Sequence, residues 1–228
     1  ARGLAALGCD VTVLTRADAP DLPPQVELCP GVVVEHVPAG PAAPVPKDDL
    51  FPHMKAFASH LARRWSHRPA DLVHAHFWMS GWAAARARPR GPLVQTFHAL
   101  GTVKRRLQGA ADTSPAVRER AETLLLRRAD RVVATCTDEV AELIALGGDA
   151  ERISVVPCGI EASSFHPGGP SLPRGARHRI VVVSRLVPRK GIADVVRALP
   201  HLPDAELVVA GGPPAAQLDS DPEARRLR

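Results

Sequence analysis

The chain has 228 residues and a formal net charge of +5, with 45% apolar and 23% charged residues. This is ordinary for a globular protein, and the length suffices for one full domain and part of a second. The sequence has no nucleic-acid-binding motif and few aromatic residues to stack on bases, which argues against a nucleic-acid partner. No apolar run approaches the roughly 20 residues of a membrane helix, although peripheral attachment to a membrane stays open.

The four cysteines are Cys9, Cys29, Cys136 and Cys158. None forms a C-x-x-C pair, which argues against a zinc or thioredoxin-like site. Their scatter is typical of reduced, individually buried thiols, so we predict a cytoplasmic protein.

The sequence begins with a helical pattern. Leu4, Ala5 and Leu7 are apolar, and Gly8 suits a helix C-terminus. A buried strand is predicted over 11–14. Because a doubly wound sheet normally starts with a strand followed by a helix, we expect the first strand and its turn to be missing from this sequence.

Further strands and helices alternate along the chain. Strands are predicted over 32–37, 72–75, 93–97, 131–134 and 153–156. Helices are predicted over 54–66, 81–87, 116–128 and 137–146. Short apolar strands alternating with helices indicate an α/β protein with a parallel sheet covered on both faces.

Two segments rich in proline interrupt this alternation. Residues 38–50 are predicted to form a surface loop. Residues 166–178 are predicted to be a linker between an N-terminal domain, 1–165, and the start of a second domain, 179–228. The second domain has predicted strands at 180–183 and 207–210 around a helix at 192–199. It looks cut short, because the charged residues 219–228 would end without an apolar partner.

A basic turn follows the first strand of the second domain. It carries Arg185 and Lys190 immediately before a helix, at the strand end where ligands bind in open α/β sheets. Arginine offers a planar fork of donors to phosphate, and lysine adds a flexible charge. The turn therefore predicts a diphosphate site. A solvated basic turn is the alternative that the spacing alone leaves open.

Five segments together resemble family 4 of the glycosyltransferases, which have the GT-B fold of two Rossmann-like, doubly wound parallel-sheet domains. The turn at Ser184 is similar to the family's G-R-L-x-x-x-K-G segment, with serine where glycine is usual. The other segments are His74–Gly81 (H-x-H-x-W-x-S-G), Thr96–Gly101 (T-x-H-x-L-G), Val155–Pro167 (V-x-P-x-G-V-D-x-x-x-F-x-P, with Glu161 for Asp) and the glycine turn Ala210–Pro213. The resemblance implies that Arg185 and Lys190 bind the diphosphate of a nucleotide sugar.

The resemblance also implies a role for His98, which would contact the donor sugar near the reacting carbon. A histidine that caps a loop is the alternative. His74 and His76 share one face of a strand, but no third ligand is apparent. We therefore assign no metal, and we expect the two to form a packed, hydrogen-bonded pair.

A basic segment after His98 bears on the acceptor. Its residues are similar to the branch of the family that contains sucrose-phosphate synthases and inositol-phosphate glycosyltransferases. Lys104 and Arg118, with Thr113, would suit a phosphorylated acceptor. Lys104 and Arg118 are expected to flank a loop that opens onto the cleft between domains. A solvated basic loop is the alternative, above all for Arg105 and Arg106.

The resemblance implies retaining transfer of a hexose from a nucleotide-diphosphate sugar to a hydroxyl, through an oxocarbenium-like transition state. It implies no cofactor and no essential metal. The family's first glycine-rich loop and its E-x7-E segment are absent, so we expect residues 1–228 alone to be inactive. The alternatives are a non-catalytic remnant and a nucleotide-sugar epimerase of the same architecture. A dinucleotide oxidoreductase is weaker, because no G-x-G-x-x-G follows a strand.

Overall fold

The computed structural model describes all 228 residues. The chain divides into two compact units, Ala1–Gly159 and Ile160–Arg228. No helix or strand lies between Val155 and His178. The domain limits placed at 165 and 178 stay a prediction. No helix in either unit combines the length and the apolar character needed to cross a bilayer.

The first unit alternates strands and helices as the apolar pattern predicts. Its strands are β1 (Val11–Arg16), β2 (Gln25–Cys29), β3 (Val32–Val37), β4 (Val73–His76), β5 (Leu93–Thr96), β6 (Arg131–Ala134) and β7 (Ile153–Val155). Its α-helices are α1 (Arg2–Ala6), α2 (Met54–His67), α3 (Phe77–Ala87), α4 (Gly101–Gln108), α5 (Arg118–Arg128) and α6 (Thr137–Ala145). Every strand and helix predicted for this unit is present to within a few residues, whereas β2 and α4 were not predicted.

The strands of the first unit form two sheets. One has the order β1-β3-β2, and the other is the fully parallel sheet β4-β5-β6-β7. β1 is parallel to β3, but β2 pairs with β3 in the antiparallel direction. The prediction of parallel sheets is confirmed apart from β2. That strand lacks the apolar run that marks a buried strand. It is largely exposed, and its pairing with β3 is irregular between Glu27 and Cys29.

Two apolar clusters join the helices to the sheets. One gathers Trp78 of α3, Phe97 after β5 and Leu125 of α5, and all three are almost fully buried. The other gathers Leu61 and Trp65 of α2 with the alanines of α3. Burying side chains of this size contributes roughly 1.5–3 kcal/mol each, so α2, α3 and α5 fix the ends of β4 and β5 where the candidate site lies.

Helix α3 approaches β5 very closely at Gly81. A Cβ at this position would lie 2.0 Å from Oε1 of Gln95, which is fully buried. The Gln95 amide donates to the carbonyl oxygens of Phe77, at 3.3 Å, and Thr96, at 3.0 Å. The absence of a side chain at Gly81 thus lets Gln95 hold the turn from β4 into α3.

A polar cluster ties α2 to β3. The carboxylate of Glu35, a residue only 8% exposed, accepts hydrogen bonds from His60 Nε2 and Arg64 Nε, each at 2.8 Å. Burial raises the pKa of Glu35, but the bonds from His60 and Arg64 outweigh it and hold the pKa below its usual value. The cluster therefore favours the folded state more at neutral than at acid pH.

The proline-rich segment after β3 lies on the surface, as predicted, and is anchored by Arg16 at the end of β1. The Arg16 guanidinium donates to the carbonyl oxygens of Ala17 (2.9 Å), Pro41 (2.5 Å) and Ala43 (2.6 Å). A short 3-10 turn, Lys47–Asp49, lies near the end of the segment. One charged side chain thus holds the part before this turn, residues 38–46, which forms no helix or strand.

The second unit is a small α/β arrangement. β8 (His178–Val183) and β9 (Ala205–Ala210) pair in parallel, α7 (Ile192–Ala198) connects them, and α8 (Pro222–Leu227) comes last. The predicted strands and helix are confirmed. The expectation that residues 219–228 lack an apolar partner is wrong, because Ala224 is buried and the Asp221 carboxylate caps α8 by accepting from Ala224 N–H at 2.8 Å. Asp-Pro at a helix start is the signal that was overlooked.

The four cysteines are unpaired, but they are not individually buried as predicted. Cys9, Cys136 and Cys158 are exposed, and Cys29 is half-buried. Cys9 follows α1, Cys136 precedes α6 and Cys158 follows β7. Their places in connecting segments explain the exposure, because such segments run over the surface.

Candidate active site

Four polar side chains gather where β4 and β5 end. The parallel register pairs His74 with Val94 and His76 with Thr96. His98 follows two residues after Thr96. The register therefore brings His98 beside His76 at the carboxyl end of the sheet, the edge at which ligands bind in open α/β folds.

The backbone around His98 is unusual. His98 has a φ of 60° and Phe77, after β4, a φ of 65°, and both values lie in the left-handed region that non-glycine residues rarely adopt. The two rings pack against each other at 4.8 Å between centroids. Phe97, which is fully buried, anchors the chain just before His98. Such outliers are typical of functional sites and are held by the surrounding structure.

The imidazoles of His74, His76 and His98 form one cluster. His74 and His76 stack with centroids 4.3 Å apart, and His76 Nδ1 lies 2.9 Å from His98 Nε2. His74 Nε2 lies 2.8 Å from the hydroxyl of Thr96. The expected His74–His76 pair is thus packed, but its hydrogen bonds go to other residues. His98 is the third imidazole that the strand spacing did not reveal.

The electrostatics favour neutral rings at His74 and His76. Desolvation lowers the pKa of His76 to about 4, and repulsion from His74 and His98 adds to the effect. Desolvation, with repulsion from His98, also lowers the pKa of His74. His76 stacks on His74 and is hydrogen-bonded to His98, and no group of three metal-ligating side chains in the chain is arranged to hold an ion.

A shallow pocket of about 250 Å³ lies beside this cluster, between β1, α2 and the start of α3. Its apolar floor comes from Leu14, Met54 and Phe57, and Phe77 links it to His98. Arg16 also lines it, with its guanidinium already bound to backbone carbonyls. The pocket offers an apolar surface for a ring-shaped substrate next to the histidines.

The residues predicted to bind the acceptor lie nearby, around the segment that connects α4 to α5. Lys104 is on α4, and Arg118 begins α5. Lys104 Nζ and Arg118 Nη1 both donate to the hydroxyl of Ser114, at 2.9 and 3.1 Å. Thr113 is adjacent and donates to the carboxylate of Asp48 at 2.5 Å. Lys104 and Arg118 thus flank a loop, as expected, and the structure brings the three residues together, although Gly101 and the basic residues hid the helical pattern of α4.

Arg118 is far more buried than a substrate-facing arginine needs to be. It is 3% exposed, and its Nε donates at 2.7 Å to Glu122, which is fully buried. Its Nη2 donates at 2.7 Å to the carbonyl of Ala99, one residue after His98. Glu122 in turn accepts from Gly101 N–H at 2.8 Å. The ion pair therefore braces the segment that carries His98.

The carboxylates in this region carry perturbed pKa values. Burial raises the pKa of Glu122, although the bonds from Arg118 and Gly101 oppose it. The hydrogen bond from Lys104 holds the pKa of Asp112 well below its usual range, against burial and with help from Ser114. Sequence reasoning missed Asp112 and Ser114, which carry no motif. The spacing of four between Arg118 and Glu122 was the one available signal of a pair.

Arg105 and Arg106 are paired with carboxylates on other helices. Arg105 Nη1 lies 3.0 Å from Glu119 of α5. Arg106 forms a bidentate ion pair with Glu142 of α6, and both side chains are partly exposed. These two cations therefore link α4 to its neighbours, rather than forming a solvated loop.

The second unit presents the basic turn at the carboxyl end of β8. Arg185 and Lys190 are exposed, and neither side chain forms a hydrogen bond or ion pair. Lys190 ends a 3-10 turn, and Gly191 then takes a φ of 66° to start α7. Two unneutralised cations at this edge are available to an anion.

The turn after β9 packs directly against this basic turn. A Cβ at Gly211 would lie 1.9 Å from the carbonyl oxygen of Ser184, and Gly211 has a φ of 145°. Ser184 stands where the family usually has glycine, and its hydroxyl donates to the carbonyl of Arg185 at 3.2 Å. The serine is thus accommodated, whereas Gly211 admits no side chain.

Comparison with known proteins identifies the family. The sequence profile of glycosyltransferase family 4 matches residues 1–164. The chain belongs to glycosyltransferase family 4. This family 4 chain is 38% identical over its whole length to a D-inositol 3-phosphate glycosyltransferase of Acidothermus cellulolyticus, covering 55% of that protein. It is 40% identical over 98% of its length to D-inositol 3-phosphate glycosyltransferase 1 of Catenulispora acidiphila, covering 57%. The chain thus spans about half the length of these curated relatives.

A solved structure supports the fold of this family 4 chain. The sucrose-phosphate synthase of Thermosynechococcus elongatus superposes with a TM-score of 0.84 at 28% identity, over 98% of this chain and 57% of that one. Together with the parallel sheets, this confirms the α/β class and the GT-B fold.

Proposed function

We propose that the whole protein is a retaining glycosyltransferase that moves a hexose from a nucleotide-diphosphate sugar to a hydroxyl of a small, phosphorylated acceptor. Membership of family 4 supports the reaction class. The observation that carries the proposal is the pair of unneutralised cations, Arg185 and Lys190, at the ligand edge of β8. Hexose transfer from such a donor leaves a nucleoside diphosphate, whose negative charge needs stabilisation at that point.

Arg185 and Lys190 are the proposed diphosphate-binding residues. A guanidinium binds phosphate oxygens in a bidentate manner, and an ammonium adds a mobile point charge. As the glycosidic bond breaks, charge grows on the leaving diphosphate, and fixed cations there stabilise the transition state more than the ground state. Neither residue must break an ion pair to do so.

His98 is the proposed residue at the donor sugar. Its ring sits at the carboxyl end of β5, beside the apolar pocket lined by Phe77. We assign it the orientation of the sugar near the reacting carbon, because a small misplacement of reacting groups costs large rate factors. Retention is taken from the family and not from carboxylate spacing, and no protein nucleophile is assigned.

Lys104, Thr113 and Arg118 are the proposed acceptor-binding residues. Lys104 and Arg118 converge on Ser114, and Thr113 is exposed beside them. Arg118 uses each of its nitrogens once, which leaves one N–H on each terminal nitrogen for a phosphate. The names of the relatives, which include inositol 3-phosphate, support a phosphorylated acceptor.

We further propose that the enzyme needs no metal or other cofactor and acts in the cytoplasm. The four unpaired cysteines support a reducing compartment. The only partners in this proposal are the nucleotide sugar and the acceptor.

The test is a donor and acceptor screen on the whole protein with chelator present. We expect one nucleotide sugar to give a glycoside of the donor's anomeric configuration, read by NMR coupling constants. A phosphorylated cyclitol or sugar should be preferred to its unphosphorylated form. Inversion, or a strict metal requirement, would contradict the proposal.

The acceptor assignment is tested best at Thr113, because Thr113→Val removes an exposed hydroxyl without opening the core. We expect the preference for the phosphorylated acceptor to fall about tenfold, as for one charge-assisted hydrogen bond, with donor hydrolysis unchanged. Lys104→Gln should act in the same direction. The control is Arg120→Ala, which removes an exposed cation from α5 and should leave the preference intact. Equal preference in all variants would place the acceptor elsewhere.

A further inference from the structure

The orientation of the His98 ring depends on one neighbour. The sole side-chain hydrogen bond of His98 joins its Nε2 to Nδ1 of His76 at 2.9 Å. The two ring planes are nearly parallel, at 20°, and the centroids lie 5.2 Å apart. Centroids joined by a 2.9 Å bond reach that separation only when the bond runs along both rings, so it lies close to their planes. Ring nitrogens donate and accept in that plane, which makes this a well-aligned bond.

The backbone does not fix the ring by itself. His98 has a φ of 60°, in a sparsely populated region, and its other aromatic contact is the tilted ring of Phe77. The interplanar angle with Phe77 is 41°, and such a contact permits a flip of the imidazole about its side-chain axis. A flip would exchange the nitrogen and carbon atoms that face the site, and it would break the hydrogen bond to His76.

The same bond couples the tautomers of the two rings. In a neutral imidazole one nitrogen carries a proton and the other accepts, so a bond between two neutral imidazoles holds one proton. When Nδ1 of His76 carries that proton, Nε2 of His98 accepts it and the free Nδ1 of His98 is a donor. When Nδ1 of His76 accepts, Nε2 of His98 donates and its free Nδ1 is an acceptor. The lowered pKa of His76, about 4, supports a neutral ring at neutral pH.

We propose that His76 is a positioning residue that fixes the orientation of the His98 imidazole and couples its tautomer to that of His76, so that Nδ1 of His98 faces the donor sugar. That His98 faces a donor sugar rests on the proposed function, whereas the coupling of the two rings does not depend on that function. His74 does not share the role, because its Nε2 bonds to Thr96 and none of its hydrogen bonds reaches His98.

The direct test reads the ring nitrogens of His98 by long-range 1H–15N correlation in the 228-residue chain. We expect the nitrogen shifts of His98 to change in His76→Phe, which keeps a ring but loses the bond. His76→Asn places an amide near the position of Nδ1, can re-form the bond, and should return the shifts towards their wild-type values. His74→Phe is the matched control and should leave His98 unchanged. Backbone amide spectra report whether each variant is folded.

The kinetic test uses the whole protein with its nucleotide sugar. His76→Phe should lower kcat about ten- to hundredfold, as expected for misplaced reacting groups, and leave the KM for the donor nearly unchanged. His76→Asn should recover most of the loss. The double variant with His98→Ala should be no slower than His98→Ala alone, because His76 acts through His98.

The outcomes separate the two proposals. If the wild type transfers no sugar, the proposed function fails, and the nitrogen spectra alone decide the role of His76. Unaltered His98 nitrogen shifts in His76→Phe overturn the positioning role, and so does an unaltered kcat in an active enzyme. Additive losses in the double variant would show that His76 acts independently of His98, which also overturns it.

Discussion

Replacing Arg118 by methionine tests the buried ion pair beneath the candidate site. The substitution keeps apolar volume but leaves the carboxylate of Glu122, which is fully buried, without its cation. Removing one partner of a buried pair costs about 3–5 kcal/mol. In Arg118→Met/Glu122→Leu no buried charge remains, and the main loss is the acceptor for Gly101 N–H, which costs about 1–3 kcal/mol. The double variant should therefore be more stable than the single one.

The destabilisation by Arg118→Met should also depend on pH. Burial raises the pKa of Glu122 in the folded state, so folding is favoured fully below the unfolded value of 4.5 and loses that contribution as pH rises through the folded pKa. Arg118 opposes this rise, and without it the pKa is higher still. The destabilisation by Arg118→Met should be smaller at about pH 5 than at about pH 8.

The assay is urea unfolding followed by tryptophan fluorescence. All three tryptophans, Trp65, Trp78 and Trp82, belong to the first unit, so the signal reports that unit alone. A loss below about 1 kcal/mol, the range of exposed ion pairs, would refute the reasoning, as would a loss independent of pH. A double variant less stable than Arg118→Met would refute it as well. A large loss would also mean that Arg118 variants cannot separate acceptor binding from folding.

Three further predictions concern other sites. Arg185→Ala and Lys190→Ala in the whole protein should each weaken nucleoside diphosphate binding about ten- to hundredfold, because a charge-assisted bond contributes roughly 1.5–3 kcal/mol. Calorimetry measures the affinity, and Arg189→Ala in the same turn is the control that should leave it unchanged. Equal effects of all three substitutions would indicate general charge attraction. Glu35→Gln should lower the free energy of unfolding by about 1.5–3 kcal/mol near neutral pH. It should also remove part of the loss of stability that the wild type shows below about pH 4.5. Denaturant titrations that show the same loss at acid pH in both proteins would contradict this. Gly211→Ala should destabilise the second unit by about 1–3 kcal/mol, seen as faster amide exchange in β8 and β9, and unchanged exchange would count against the close approach.

The sequence predicted the elements whose signal is a continuous apolar run. β3, β6 and β8 are such runs, and Gly8 marked the end of α1 correctly. β2 and α4 escaped because their signals are weak: β2 is an exposed antiparallel strand, and α4 carries few apolar residues, of which Leu107 is 77% exposed. Elements stabilised by their neighbours, and not by their own pattern, are hard to predict from local sequence.

The site was predicted in part. Within each unit, the strand-to-helix order predicts the carboxyl edge of the sheet, where His98 lies in the first unit and Arg185 and Lys190 in the second. The contact of His98 with His76 does not, because it depends on the register of β4 against β5, which brings together residues 22 positions apart. The burial of Arg118 could not be predicted either, because charged residues are seldom fully buried unless paired. A sequence motif does not show whether a side chain is buried.

The hydrogen bonds from Arg16 to the proline-rich segment have a consequence for how this surface can vary in sequence. Its guanidinium contacts only main-chain oxygens, at Ala17, Pro41 and Ala43. Every amino acid supplies the same main-chain carbonyl, so these hydrogen bonds do not depend on which residues occupy the segment. Substitutions across this stretch can alter its chemical character while its path stays the same, which makes it a natural place for related enzymes, or a randomised library, to diversify the rim of the pocket without disturbing the sheet.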